Sequence, residues 1–330
     1  MLVSTVTPPI KPHHRELPLK VGTRGSPLAR AQTATFLGLL EHFCPVLRGM
    51  HVFEEHIIVT TGDAVQNRPL AEIGGKGLFA KEIHEALAAG RIDFAVHSLK
   101  DLETELPPGI TLACTLKRED ARDVLVLPPG HAPVDPADPY AVLPKGAKIG
   151  SASVRRQAQL KHARPDLQFS LLRGNVGTRL AKIEAGELDA TLLAYAGLRR
   201  LGLAEKASVV LSPEQMVPSA CQGIVGITVR TDDVELLQLL AGIEDPEAKA
   251  VATAERALLG ALDGSCRTPI GGYARLLEDG SLHLTGLVAR ADGSFLLRRS
   301  VTGSVADAEI MGRELGLSLK ADSPDDIFAP

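Results

Sequence analysis

Four chemically active side chains follow a short apolar segment in the first third of the chain. The segment from Ile92 to Val96 predicts a buried strand that starts just after Gly90. Directly after this strand come His97, Ser98, Lys100 and Asp101. Ligands bind at the carboxyl ends of strands in open α/β sheets, so this group is a candidate catalytic or binding site. Such a charged group is more often a solvated strand exit, so the interpretation depends on the rest of the chain.

Basic side chains form a second candidate set. The net charge is −4, yet the stretch from Lys145 to Lys206 has twelve Lys and Arg against five Asp and Glu, a local +7. A basic surface on an acidic protein implies an anionic ligand. Several arginines stand at predicted strand ends or helix starts, where guanidinium forks suit carboxylates or phosphates. A nucleic-acid ligand is disfavoured, because without Trp and with 3% aromatic residues the chain lacks a stacking platform.

Length and composition define the general class. A chain of 330 residues predicts two or three domains, and 45% hydrophobic content is typical of globular proteins. No apolar run reaches the length of a membrane span. Residues 1–18 contain four prolines and no apolar signal core, which predicts a disordered tail and a cytoplasmic protein. The four cysteines have no CxxC spacing, so neither a metal site nor a disulfide framework is expected.

The element pattern predicts two similar α/β modules. In the first, a strand at 19–21 leads through Gly22 to Ser26 and Pro27, which are suited to start a helix. The segments 148–151 and 185–189 echo 20–23 and 89–93. The strand 224–230 is expected to return to the first module, and the proline-rich stretch 128–145 predicts an excursion between the modules. Residues 62–77 fit either a phosphate cradle or a mobile lid, and we predict the lid.

The last part of the chain has a different predicted secondary structure. Three strands at 271–277, 281–290 and 294–302, with Asp-Gly turns between them, predict an antiparallel meander closed by a helix at 306–319. This is a small α+β domain, and Cys266 lies in a Gly-Ser-Cys-Arg loop at its entrance.

Together these segments resemble the porphobilinogen deaminase (hydroxymethylbilane synthase) family over about residues 19–320. The resemblance rests on eight ordered motifs, which are GTRGSPLA at 22–29, IGGKGLF at 73–79, AVHSLKD at 95–101, VRRQ at 154–157, LRGNVGTR at 172–179, AGLRRL at 196–201, QG at 222–223 and GSCRTPIG at 264–271. It implies a monomeric transferase of tetrapyrrole biosynthesis that condenses four porphobilinogens into linear hydroxymethylbilane and releases ammonia. It also implies a dipyrromethane cofactor, built from the substrate and joined by a thioether to Cys266.

The resemblance also implies roles for single residues. Asp101 would be catalytic, because loss of ammonia leaves a cationic azafulvene that needs a fixed carboxylate. Every pyrrole carries an acetate and a propionate, so many cationic partners are needed. The cofactor-binding residues would be Cys266, Lys100, Ser151, Ser153, Arg155, Arg156, Arg173 and Gln222. The substrate-binding residues would be Arg24, Ser26, Arg179, Arg200, Lys76 and Phe79, with Lys76 and Phe79 in the lid.

The chain departs from the family pattern at three places. Glu103 stands where Pro is usual, Cys221 where Gly is usual, and Ser151-Ala152 where Thr-Ser is common. None of these touches Asp101, Cys266 or the arginine set. Glu103 places a negative charge near the expected cleft rim, which is unfavourable for carboxylate binding.

The predicted fold class is α/β, with two periplasmic-binding-protein-like (type II) lobes joined by a hinge and a small α+β C-terminal domain. Domain 1 comprises 19–116 and 224–241, domain 2 comprises 117–217, and domain 3 comprises 246–330. A two-lobed solute-binding protein is the main alternative. Such a protein would have a secretion signal and would need neither Asp101 nor Cys266. A nucleic-acid binder is the third possibility.

Overall fold

The first five-stranded sheet contains both the early strands and one late strand. The computed structural model describes residues 16–65, 77–262 and 268–328. The strand order is β2-β1-β3-β10-β4. These strands are β1 (Leu19–Thr23), β2 (Phe53–Ile57), β3 (Phe94–Ser98), β4 (Ile110–Thr115) and β10 (Val225–Arg230). β1 is parallel to β2 and β3, whereas β10 lies antiparallel between β3 and β4. The predicted return of the late strand is confirmed.

The second sheet repeats this arrangement, with the order β7-β6-β8-β5-β9. Its strands are β5 (Asp123–Val126), β6 (Lys148–Gly150), β7 (Gln168–Ser170), β8 (Ala190–Ala194) and β9 (Val209–Val210). β6 is parallel to β7 and β8, whereas β5 lies antiparallel between β8 and β9. Two such lobes, each with one strand inserted from a crossover, confirm the predicted type II periplasmic-binding-protein-like class.

The sequence echoes between the modules occupy equivalent positions. In the first lobe, the Lys20 N–H donates to Asp93 Oδ2 at 2.8 Å, and the Asp93 N–H donates back to the Lys20 carbonyl. In the second lobe, the Lys148 N–H donates to Asp189 Oδ2 at 2.7 Å, and the reciprocal backbone bond is also present. In each lobe, an aspartate at the equivalent position thus satisfies the N–H of the equivalent lysine in the exposed strand.

Helices cover the sheets, and two of them start as the sequence predicts. They are α1 (Pro27–Phe43), α2 (Thr61–Ala64), α3 (Lys81–Ala88), α4 (Val154–Ala163), α5 (Val176–Glu184), α6 (Tyr195–Arg200), α7 (Val234–Ala241), α8 (Pro246–Ala261) and α9 (Ala308–Ala321). Ser26 caps α1 by accepting the Ala29 N–H, and Ser153 caps α4 by accepting the Arg156 N–H. Both caps direct a helix N-terminus toward the carboxyl end of the preceding strand.

The third unit is the predicted meander. Its antiparallel strands are β11 (Ile270–Leu276), β12 (Leu282–Ala289) and β13 (Leu296–Gly303). Gly280 and Gly293 both have φ +80° in the connecting turns, a conformation that favours glycine. The helices α8 and α9 pack against each other and against this sheet around Leu258 and Leu319, which are fully buried.

One detail differs from the sequence predictions. The proline-rich stretch 128–145 is not an excursion between modules, because Tyr140 and Leu143 pack into the core of the second lobe. The chain passes between the lobes at 116–122 and again at 211–224.

The predicted lid begins with a short helix, α2, and its residues 66–76 lie outside the described part of the chain, as do residues 1–15 of the predicted tail. Among the described residues, no helix is long and apolar enough to cross a membrane.

Candidate active site

Asp101 and Arg24 face each other where two neighbouring parallel strands end. Arg24 follows β1, and Asp101 closes the 3-10 turn Leu99–Asp101 that follows β3. Because β1 and β3 are adjacent in the sheet, their carboxyl ends bring the two side chains together. Arg24 Nη1 lies 4.0 Å from Asp101 Oδ2, and the Asp101 side chain is 32% exposed. The acid is therefore accessible from solvent and held beside a fixed cation.

Asp63 and Phe79 hold the Arg24 side chain. Asp63, on α2, accepts from Arg24 Nε at 3.0 Å and from Nη2 at 2.5 Å. The Phe79 ring lies under the guanidinium, 4.2 Å from its central carbon. Burial opposes the positive charge, but the hydrogen bonds that Arg24 donates to Asp63 and the charges of Asp101 and Asp63 raise the Arg24 pKa. The guanidinium is therefore charged at every physiological pH.

Lys100 lies at the boundary between the two lobes, which we call the crevice, with Asp101 on one side and Asp123 and Arg156 on the other. Its Nζ donates to Gln222 Oε1 at 3.2 Å. Burial lowers the pKa of Lys100 to about 8, with Arg156 and Arg155 acting in the same direction and Asp101 and Asp123 opposing them. A lysine held this way gains from an additional anion nearby, because a negative charge restores its protonated form.

Arg155 and Arg156 are almost fully buried around one carboxylate. Asp123 Oδ2 accepts from Arg155 at 2.7 Å, and Asp123 Oδ1 accepts from Arg156 Nη2 at 2.7 Å. Gln222 Nε2 donates to the same carboxylate at 2.8 Å. Although burial alone would raise the Asp123 pKa, the two arginines hold it well below its usual range. Two arginines share one acid, so the cluster retains net positive charge close to Lys100.

Three further arginines from the second lobe lie along the crevice. Arg173 Nη2 donates to the Gly62 carbonyl of the first lobe at 3.0 Å. Arg179 Nε donates to the Gly174 carbonyl, and Arg200 Nη2 donates to the Gly223 carbonyl. Burial, together with the neighbouring charges of Arg156 and Arg173, lowers the Arg179 pKa to about 10. These cations repel one another, and a bound polyanionic ligand relieves that repulsion.

The predicted site serines form hydrogen bonds at the N-termini of two helices. Ser26 and Ser153 act as helix caps, as described above. Ser151 is buried, and its hydroxyl accepts the Ser153 N–H at 3.1 Å. Two predicted site residues, Lys76 and Cys266, lie outside the described residues, so the structure does not place them.

The backbone before Gln222 is left-handed, which is why glycine suits the position that Cys221 occupies in this chain. Cys221 has φ +62°, a conformation in which a side chain is strained and glycine is not. Its N–H donates to the fully buried Glu255, which also accepts from Arg118 at 2.7 Å. Arg118 Nε in turn donates to the Gln222 carbonyl at 2.9 Å. The third unit thus fixes the turn that carries Gln222 under Lys100.

Sequence reasoning missed Asp63, Asp123 and the Arg118–Glu255 pair. One sequence feature could have identified Asp123, which is an acidic residue at the start of an apolar strand. A buried strand seldom begins with an uncompensated charge, so a buried partner for Asp123 could have been expected. Asp63 and Glu255 carried no comparable local signal. No group of three or more His, Cys, Asp or Glu within residues 16–65, 77–262 and 268–328 is arranged to hold a metal ion.

Fold and site together define an α/β enzyme of the two-lobed, periplasmic-binding-protein-like type, with one accessible acid in a cationic crevice. Residues 19–238 match the family model described as porphobilinogen deaminase, dipyromethane cofactor binding domain, and residues 249–321 match the C-terminal domain model of the same family. The chain belongs to the porphobilinogen deaminase family.

Curated relatives are similar over nearly the whole chain. Porphobilinogen deaminase from Syntrophobacter fumaroxidans is 44% identical over 91% of this chain and 94% of its own length. The Paracoccus denitrificans protein of that name is 45% identical over 94% of this chain and 96% of its own length. The chloroplastic protein of Oryza sativa is 44% identical over 94% and 85%, respectively.

Family membership confirms the expected activity. As a member of this family, the chain is a transferase of tetrapyrrole biosynthesis that condenses porphobilinogen units into a linear tetrapyrrole with release of ammonia. It uses a dipyrromethane cofactor.

Proposed function

We propose that Asp101 is the catalytic carboxylate of this condensation. Each porphobilinogen loses ammonia to leave a cation that is conjugated with the pyrrole nitrogen. A carboxylate fixed beside that nitrogen stabilises the cation, and it can accept the proton that the attacking pyrrole carbon releases once the new carbon–carbon bond has formed. The position of Asp101 at the end of β3, exposed to the crevice and 4.0 Å from Arg24, is the observation that carries this assignment.

We assign the substrate carboxylates to cations at the crevice wall. Arg24, Arg179 and Arg200 approach the crevice from both lobes, and Arg24 stands beside Asp101. Acetate and propionate groups suit guanidinium forks, and Ser26 and Phe79 border the same end of β1. Lys76 belongs to this set through the family motif.

The buried cations fit the cofactor, which supplies the pyrrole nucleophile to which each new unit is added. Its carboxylates need partners that are positive and already oriented. Lys100, Arg155, Arg156 and Arg173 meet this need, because their charges exceed the single negative charge of Asp123. Gln222 orients Lys100, and Ser151 and Ser153 add neutral hydrogen bonds at the start of α4.

Cys266 is the proposed attachment point. Burial raises the pKa of the Cys114 thiol and of the Cys221 thiol to about 12, so neither is a ready thiolate at neutral pH. Cys266 stands in the family loop beside Arg267, and a neighbouring cation favours the thiolate.

We also propose the domain limits 19–116 with 224–241, 117–217 and 246–330, and a cytoplasmic monomer without nucleic-acid or membrane partners. Free, buried thiols at Cys114 and Cys221 suit a reducing compartment. Arg155 and Arg156 of the basic stretch are buried against Asp123, so these two arginines add nothing to a basic surface for a polyanion such as nucleic acid. One chain supplies both lobes of the crevice, which suits a monomer.

Intact-mass measurement of the purified protein tests the cofactor assignment. We expect the wild-type mass to exceed the chain mass by one dipyrromethane, and Cys266→Ser to have the bare chain mass and no condensing activity. Cys44→Ser is the control, and it should keep the excess mass. A bare wild-type mass with full activity would overturn the assignment.

A further inference from the structure

We propose that Asp63 is a positioning residue for the condensation, because it holds Arg24 with one edge of the guanidinium presented to Asp101 and to an incoming substrate carboxylate. The inference rests on the proposed roles of Arg24 and Asp101. Neither the family motifs nor the sequence pattern assigns a role to Asp63.

The hydrogen bonds divide the guanidinium into two edges. Asp63 takes the edge formed by Nε and Nη2, through Oδ2 at 3.0 Å and Oδ1 at 2.5 Å. Nη1 points instead toward Asp101 Oδ2, 4.0 Å away. The second edge, formed by Nη1 and Nη2, remains suited to bind a carboxylate end-on by donating two parallel hydrogen bonds. Asp63 thereby decides which edge of Arg24 is presented to the crevice.

Asp63 is itself held in place. The Thr60 hydroxyl donates to Asp63 Oδ2 at 2.8 Å, and Thr60 is buried. The backbone of α2 lies tightly against Phe79, since a Cβ on Gly62 would stand 2.3 Å from the Phe79 ring. Phe79 covers one face of the Arg24 guanidinium. The clamp of Asp63, Thr60 and Phe79 therefore restricts Arg24 from the side and from below.

This clamp removes rotamer freedom from Arg24 before the substrate binds. A long arginine side chain that is already ordered loses less entropy on binding a carboxylate. The benefit applies equally to the bound substrate and to the transition state, because Asp63 does not contact the reacting atoms. Loss of the clamp should therefore raise KM and leave kcat nearly unchanged.

The structure offers a matched control for the experiment. Glu82 anchors the same short helix from α3, because its Oε1 accepts from the Thr61 N–H at 3.0 Å and from the Thr61 hydroxyl. Within the described part of the chain, Glu82 forms no hydrogen bond or ion pair with Arg24. If Asp63 merely stabilised α2, Glu82→Gln and Asp63→Asn would behave alike.

The test uses steady-state condensation of porphobilinogen by the cofactor-loaded enzyme. We expect Asp63→Asn to raise KM about tenfold, the order for one charge-assisted hydrogen bond, with kcat within about threefold of wild type. Asp63→Glu should recover part of the KM loss, and Glu82→Gln should change KM less than about twofold. In an Arg24→Ala background, Asp63→Asn should cause no further change in KM, which is the signature of action through Arg24.

Thr60→Val keeps the test decisive if Asp63→Asn does not fold. It preserves side-chain shape but removes the hydrogen bond to Asp63, and it should raise KM in the same direction by about two- to threefold. A wild-type KM in both variants, an equal KM rise in Glu82→Gln, or a fall in kcat at constant KM would refute the positioning role. Wild-type enzyme that carries the cofactor but releases no ammonia would instead refute the proposed function.

Discussion

Asp123→Asn removes a buried negative charge that two arginines share. Asp123 is 0% exposed, and Arg155 and Arg156 are 5% and 6% exposed, so water cannot replace the lost carboxylate. Asn retains the shape and one acceptor oxygen, but it leaves two guanidinium charges without a counter-charge. Breaking a buried pair in this way costs about 3–5 kcal/mol, and we expect about 4 kcal/mol in the free energy of unfolding of the second lobe at pH 7.

The measurement is urea unfolding followed by far-UV circular dichroism, because the chain has no Trp for fluorescence. The control is Glu184→Gln, which removes a half-exposed partner of Lys206 at 2.8 Å. A surface pair of this kind contributes less than about 1 kcal/mol. The low Asp123 pKa means that the contribution of this acid is fully present at pH 7 and is lost only in acid, as the carboxylate becomes protonated. A loss below about 1 kcal/mol at pH 7 would show that the cluster is not held by charge pairing.

Two further predictions concern the ends of the strands at the crevice. Asp101→Asn should lower turnover by about two to three powers of ten, because one preorganised charge is worth about 3–4 kcal/mol of barrier, as measured by single-turnover ammonia release. His97 is buried, with Nε2 3.0 Å from the Thr228 hydroxyl, and burial first, then the charges of His84 and Arg24, lower its pKa to about 3. Between pH 6.5 and 3 the unfolded chain therefore binds a proton that the folded chain does not. Stability should fall by about 2 kcal/mol between pH 7 and 5, and His97→Gln should remove this contribution.

Controls separate these effects from misfolding. The Asp101→Asn protein should keep the wild-type circular dichroism spectrum and the cofactor mass, and a fall in turnover below about tenfold would exclude Asp101 as the catalytic group. For His97, the informative quantity is the difference in unfolding free energy between wild type and variant at each pH. A difference that does not change between pH 7 and 5 would contradict a neutral, buried imidazole.

Local features of the fold could be predicted from the sequence because they depend on neighbouring residues. The helix caps Ser26 and Ser153 bond to N–H groups three residues later, and the Gly280 and Gly293 turns require a conformation that glycine adopts readily. The apolar strand that precedes the turn with Asp101 was recognisable for the same reason. Family motifs identified Lys100 and the arginines, because the motifs and their order can be recognised in the sequence without knowledge of the fold.

Only the tertiary structure decided how the charges are paired and exposed. Arg24 faces Asp101 because β1 and β3 are neighbours in a parallel sheet, although 76 residues separate the two side chains along the chain. Arg155 and Arg156 bind Asp123, more than 30 residues earlier, and the same burial lowers the Lys100 pKa to about 8. The sequence by itself determined which residue types were available and where helices and strands begin. Desolvation and Coulomb interaction depend on distances through space, so the pairing of those residues was decided by strand order and by how the three units pack.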